Sequence, residues 1–250
     1  MRKLFVIGIG AGDPDQVTMQ AVAALRQVDV FFVIGKGERK RELADVRAAI
    51  LAAHVQRPYA VVTIADPPRE RIVPDAAEYR EVVADWHERR AALLEEAFAR
   101  AEGVGAILVW GDPALYDSTL RMVHRVAERG VVRFDYEVIP GITSAQALAA
   151  RHRIVLHDIG EPVHITTGRR LREEGVAAGQ PTVVMLDGEC SFTQVPGDDL
   201  HIWWGAYLGM PDEILIEGPL RQVEQRIVRC RNEVRERKGW IFEIYLLRRR

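Results

Sequence analysis

Four short segments hold residues whose types and spacing could do chemistry. The segment Trp110-Gly111-Asp112-Pro113-Ala114-Leu115-Tyr116 presents a glycine, a carboxylate, a proline and a phenol in turn. An exposed carboxylate there could take a proton or face a cation, or Asp112 could simply close an Asx-type turn. Gly8-Ile9-Gly10-Ala11-Gly12-Asp13-Pro14 resembles a dinucleotide fingerprint, but Asp13 stands at the third glycine and Pro14 removes an amide donor where a pyrophosphate needs one. No acidic residue follows the second strand to take a ribose hydroxyl; Ile34-Gly35-Lys36 stand there instead. Its glycines suit either a tight turn or a close approach to a ligand. In Ile139-Pro140-Gly141-Ile142-Thr143-Ser144-Ala145 the hydroxyls suit a helix cap or a ligand carboxylate. The fourth group is basic: Lys36, Arg39, Lys40 and Arg41, then Arg69 and Arg71 after paired prolines, and Arg151 and Arg153. Each alone reads as solvated surface, but together they could receive a polycarboxylate, which guanidinium groups bind in bidentate fashion.

These segments need strands to deliver them. Leu4–Ile9, Val30–Ile34, Tyr59–Ile64, Ala106–Trp110 and Tyr136–Ile139 are short apolar runs, and four are nearly continuous, as burial on both faces requires. Helices fall between them: one capped by Thr18, one over Leu43–Ala53, a long one from about Asp75 to Ala101, one over Ser118–Arg129 ended by Gly130, and one from Thr143 to about Arg151. Strand and helix in alternation predict a parallel five-stranded sheet with helices on both faces. Ligands of such sheets bind beyond the carboxyl ends of the strands. The second half differs. Val163–Thr167, Thr182–Leu186, His201–Ala206, Ile214–Ile216 and Trp240–Leu247 read as strands, with helices only near Arg170–Ala178 and Arg221–Arg237, so a mixed sheet is expected. The domains are expected at 1–157 and 158–250, divided near His157–Pro162, where polarity, glycine and proline coincide.

The 250 residues are 48% hydrophobic and 28% charged, with a net charge of -2. That argues for a globular protein without the basic field that holds nucleic acid. No apolar run approaches a membrane span, and the N-terminus lacks a signal-peptide core, so a cytoplasmic protein is expected. Cys190 and Cys230 are too few for a disulfide framework, and the scattered histidines form no metal-ligand pattern, so no metal is expected.

Together, the motifs Gly-x-Gly-x-Gly-Asp-Pro, Gly-Asp-Pro-x-x-Tyr and Pro-Gly-x-Thr-Ser resemble the tetrapyrrole (corrin and porphyrin) methylase family in order and spacing, over nearly the whole chain. One departure is Ala11, where most relatives carry proline. The stretches Asp66–Arg69, Trp110–Thr119, Gly141–Arg153 and Trp203–Glu213 point within that family to methylation of ring carbon C1 of precorrin-5 with loss of acetate. The resemblance implies two α/β domains, S-adenosylmethionine as cofactor with S-adenosylhomocysteine as product, a precorrin substrate and a homodimer. Carried over by motif, Gly10, Gly111, Asp112, Tyr116, Thr143, Ser144 and Ala145 would contact the cofactor, as would Met185, Ala206 and Leu220 in the second domain. Asp112 and Tyr116 are the expected catalytic pair, as base and as hydrogen-bonding or proton-handling partner. Arg39, Arg69, Arg71 and Arg153 are expected to meet substrate carboxylates. Two rival readings are a relative with another substrate, such as a diphthine synthase-like protein methylase, and a non-catalytic nucleotide-binding regulator.

Overall fold

A computed structural model describes residues 2–35, 41–68, 76–177 and 179–249. The chain forms two compact units, one of residues 1–10 and 14–142, the other of residues 11–13 and 143–250.

The first unit is built on a parallel sheet of β1 (Lys3–Gly8), β2 (Val30–Gly35), β3 (Ala60–Ala65), β4 (Val104–Val109) and β5 (Asp135–Ile139), in the order β3-β2-β4-β1-β5. The period of two along β1 feeds both faces. Phe5, Ile7 and Ile9 pack against Ala21, Leu25, Ile50 and Leu51 of α1 (Met19–Leu25) and α2 (Arg41–His54). Leu4 and Val6 pack with Leu94, Phe98, Met122 and Val123 of α3 (Ala76–Arg100) and α4 (Thr119–Arg129). This is the expected doubly covered sheet. Thr18 caps α1 through the Ala21 amide, and Gly130 ends α4 at φ 67°.

The second unit holds α5 (Ser144–His152), β6 (His164–Thr167), α6 (Gly168–Glu174), β7 (Thr182–Met185), β8 (Leu200–Ala206), β9 (Ile214–Pro219), α7 (Leu220–Lys238) and β10 (Glu243–Arg249). Its sheet runs β6-β7-β10-β8-β9, parallel at β6–β7 and antiparallel elsewhere, the mixed sheet that was expected. The division falls before α5, not near residue 157. The reason is packing: Ala145, Ala147 and Leu148 of α5 share a core with Val183, Trp203, Ile244 and Leu246. Two further boundaries differ. α6 starts at Gly168 because the Thr167 hydroxyl caps it, and β10 begins only at Glu243, because buried Trp240 packs edge-on against Tyr207 and Phe242 instead of joining the sheet.

Candidate functional site

In the first unit, β4, β1 and β5 are neighbours, so the loops after them emerge side by side. Glycine lets them touch. Gly10 and Gly111 form an isolated bridge, with the Gly111 amide donating to the Gly10 carbonyl at 2.8 Å. A Cβ on Gly8 would stand 2.6 Å from the Gly141 amide nitrogen and 2.8 Å from the Gly111 carbonyl oxygen. A Cβ on Gly141 would stand 2.8 Å from the Gly8 Cα and collide with the Gly111 carbonyl. Three backbones therefore meet with no room for a side chain.

Asp112 staples this cluster. Its Oδ1 accepts from the Ala114 amide at 2.8 Å, the Asx-type turn that was one of its two readings, and its Oδ2 accepts from the Gly141 amide at 2.9 Å. The carboxylate thus joins the loop after β4 to the loop after β5. Tyr116 ends the turn at φ 50°, a strained conformation for a non-glycine residue, with 44% of its surface exposed.

Beside the cluster, at the carboxyl ends of β3, β2 and β4, lies a cavity of about 1040 Å³. Tyr116, Trp110, Asp117, Asp66, Pro67, Trp86, Arg90, Arg47 and Arg121 are among its lining residues. One wall is clamped. Arg90 donates to both oxygens of Asp66, at 2.7 and 2.9 Å, and stacks at 3.8 Å over the Trp86 ring. The Trp86 indole N–H donates to the Pro67 carbonyl at 3.0 Å, which fixes the start of the paired-proline segment. Sequence reasoning missed this clamp, although it left a signal. Trp86, Arg90, Leu94 and Phe98 recur every fourth residue of α3, and a charged residue in an apolar stripe implies a buried partner. Arg47 was missed as well. Its guanidinium is partly buried, and burial lowers its pKa against the opposing charge of Asp117.

In the second unit, Thr143 caps α5 in a reciprocal box with Gln146, the commoner of its two expected uses. Ala145 is buried in the core, and Ser144 is partly buried. Met185 ends β7 and Ala206 ends β8 at one edge of the sheet, with β10 between them: Ile244 pairs with Met185 on one side and with Gly205 on the other. Each is followed by a left-handed non-glycine residue, Leu186 at φ 55° and Tyr207 at φ 51°. Leu186 is 65% exposed, whereas Ala206 and Leu220 are wholly buried, so a ligand could reach those two only through their backbone. Arg153 is exposed and ends α5 at φ 56°. Arg39, Arg69 and Arg71 lie outside the described residues.

A buried polar network holds the turn after Met185. Asp187 accepts from the Tyr245 hydroxyl at 2.6 Å, the Ser191 amide at 2.7 Å and the Ser191 hydroxyl at 2.8 Å. Arg231 donates to the Gly188 carbonyl at 2.8 Å and to Glu243 at 2.5 Å, and the Trp204 indole also donates to Glu243. Burial raises the pKa of Tyr245, with the Asp187 charge acting the same way, and burial pushes the Cys190 thiol up to about 11. Among the described residues no group of three or more His, Cys, Asp or Glu side chains could hold a metal ion, and no helix is long and apolar enough to cross a membrane.

The chain as a whole matches a known class. The model of the tetrapyrrole (corrin/porphyrin) methylases matches residues 3–224, and the chain belongs to that family. It is 49% identical to precorrin-6A synthase [deacetylating] of a Sinorhizobium species, over 100% of this chain and 96% of that one. It is 33% identical over 145 residues to precorrin-2 C(20)-methyltransferase of Sinorhizobium, covering 57% of this chain and 54% of the relative. Among solved structures, a cobalamin synthesis related protein of Corynebacterium diphtheriae superposes with a TM-score of 0.84 at 35% identity, over 100% of this chain and 99% of the other. Uroporphyrin-III C-methyltransferase of Thermus thermophilus in complex with S-adenosylhomocysteine shares the fold, with a TM-score of 0.61 at 18% identity and coverage of 98% and 91%.

Proposed function

We propose that this protein is an S-adenosylmethionine-dependent C-methyltransferase of corrin-ring assembly, which methylates C1 of precorrin-5 and releases the ring's acetyl group as acetate to give precorrin-6A. The observation that carries this reading is the 49% identity over the full chain to a deacetylating precorrin-6A synthase.

The residues fit such a cofactor. In the first unit, the carbonyls of the glycine cluster and the Asp112 carboxylate suit a sulfonium cation. When bound, the cofactor supplies an electrophilic methyl group. The protein's share is placement. Gly8, Gly10, Gly111 and Gly141 fix the loops, Asp112 locks them together, and Tyr116 stands at the rim of the cavity that would take the ring. Aligning donor and acceptor removes several kcal/mol of the barrier, about 7 at the least in well-oriented model reactions. Loss of the acetyl group needs water to attack its carbonyl carbon and a group to accept the proton released. Since both Asp112 oxygens hold backbone amides, we assign Asp112 to loop positioning first and to proton transfer second, with Tyr116 as its hydrogen-bonding partner.

Thr143, Ser144 and Ala145, with Met185, Ala206 and Leu220, complete the proposed cofactor contacts, and Arg39, Arg69, Arg71 and Arg153 the proposed substrate contacts. The protein is further proposed to work as a cytoplasmic homodimer, with no metal and no nucleic-acid or membrane partner. Two domains at 1–157 and 158–250 would place α5 with the first; the packing of α5 favours a division before Thr143.

Incubation with S-adenosylmethionine and, separately, precorrin-5, precorrin-2 and uroporphyrinogen III tests the assignment. Methyl transfer to precorrin-5 alone is the expected result. Transfer to either other ring, with precorrin-5 left unchanged, refutes the substrate.

A further inference from the structure

The cavity beside Tyr116 contains three arginines with different surroundings. Arg90 is spent: Asp66 neutralises it through two hydrogen bonds and Trp86 covers its face. Arg47 is not. Among the described residues its guanidinium donates only to the Leu43 carbonyl of its own helix, at 3.4 Å, and makes no ion pair. A guanidinium carries five N–H donors, so most of this one's are unspent among the described residues. The carboxylate nearest in effect is Asp117, which already accepts from the Thr119 amide at 2.6 Å and forms no ion pair with Arg47. A partly desolvated cation with open donors costs stability unless an anion arrives. Arg121 of α4 also lines this cavity, is exposed, and makes no ion pair among the described residues.

We infer that Arg47 is a substrate-binding residue that receives a side-chain carboxylate of the ring, with Arg121 as a weaker second receptor at the same cavity. The inference rests on the proposed reading for the identity of the ring, but its chemistry needs only a macrocycle bearing carboxylates. Arg47 enters the cavity from α2, Gly35 at the end of β2 also lines the cavity wall, and Arg121 enters from the helix that follows the Gly111–Tyr116 loop. A carboxylate bridging toward both would set the ring's register against Tyr116. Asp66 and Arg90, neutral as a pair, would shape the wall without competing for the ligand.

Two readouts separate this inference from the proposed function. The first is steady-state methyl transfer to precorrin-5 by Arg47→Met and Arg47→Lys. Arg47→Met is expected to raise KM about ten- to a hundredfold, with the Kd for S-adenosylhomocysteine unchanged, and Arg47→Lys to recover part of the loss. The second needs no turnover: quenching of tryptophan fluorescence by uroporphyrin I, which carries an acetate and a propionate on every pyrrole. Wild type is expected to bind it at least about tenfold more tightly than Arg47→Met, with Arg121→Met between them. Wild type that binds uroporphyrin I in an Arg47-dependent way yet leaves precorrin-5 unmethylated supports the receptor and refutes the assigned reaction. Equal binding by wild type and a folded Arg47→Met, judged by its thermal melt and S-adenosylhomocysteine affinity, overturns the inference whatever the reaction is.

Discussion

The two units hold their strand-end turns by opposite means. In the first, backbone meets backbone: Gly8, Gly111 and Gly141 leave no space for a Cβ, and Asp112 adds two amide hydrogen bonds. In the second, side chains do the holding. Asp187 gathers Tyr245 and Ser191, and Arg231 ties the same turn to Glu243. The first design tolerates almost no substitution, because any side chain displaces a main chain. The second depends on satisfied charges, so it is sensitive to the loss of one partner and more tolerant of paired replacement.

The largest effect is expected where the second design is broken on one side. The side chains of Arg231 and Glu243 are 4% and 3% exposed. Glu243→Gln leaves the guanidinium buried without its counter-charge, and should cost about 3–5 kcal/mol in a denaturant titration. Arg231→Met/Glu243→Leu should recover much of that loss, though not all, because the Trp204 indole and the Gly188 carbonyl lose partners. No recovery in the double variant would show that the pair is not the seat of the effect.

Gly141→Ala breaks the first design. Its methyl group is trapped between the Gly8 Cα and the Gly111 carbonyl, so the loops must part, at an expected cost of about 3 kcal/mol and with loss of S-adenosylhomocysteine binding by calorimetry. Binding unchanged in Gly141→Ala would disconnect the glycine cluster from the cofactor.

Asp112→Asn sharpens the comparison. The amide keeps one acceptor but presents N–H toward an amide donor, so about 1–2 kcal/mol of stability should be lost in a thermal melt. If Asp112 acts by position, cofactor affinity and turnover fall together; if it acts as a base, turnover alone falls.

The smallest effect is a reactivity. With its thiol at about 11, Cys190 should resist iodoacetamide at pH 8 and gain reactivity as pH rises toward that value. Tyr245→Phe removes one of the hydrogen bonds to Asp187 and should expose Cys190 to labelling at pH 8, read by mass spectrometry. Unaltered labelling would mean that the network does not control the turn.

The same contrast explains what the sequence made legible. The parallel sheet, its helices and the Gly111–Tyr116 and Gly141–Ala145 loops could be read because apolar runs, glycines and caps are local signals. Asp112 as an Asx-type turn and Thr143 as a cap were each one of two open readings; both geometries are present, and only for Thr143 was that the commoner use. The network around Asp187 could not be read, since Tyr245 stands 58 positions away and Arg231 lies on a helix dense with charge. The Asp66–Arg90 clamp lay between these extremes: Arg90 interrupts an apolar stripe, but nothing local names Asp66 as its partner. The division before α5 was hidden because the polarity near His157–Pro162 marks a surface loop, while packing decides which unit a helix joins.

The central claim is the reaction itself. Precorrin-5 labelled with carbon-13 in its acetyl group, incubated with methyl-deuterated S-adenosylmethionine and the protein, should yield a ring that has gained one deuterated methyl and lost the label, with labelled acetate released in equal amount. A ring that gains the methyl but keeps the labelled acetyl group, with no acetate in solution, would contradict the account.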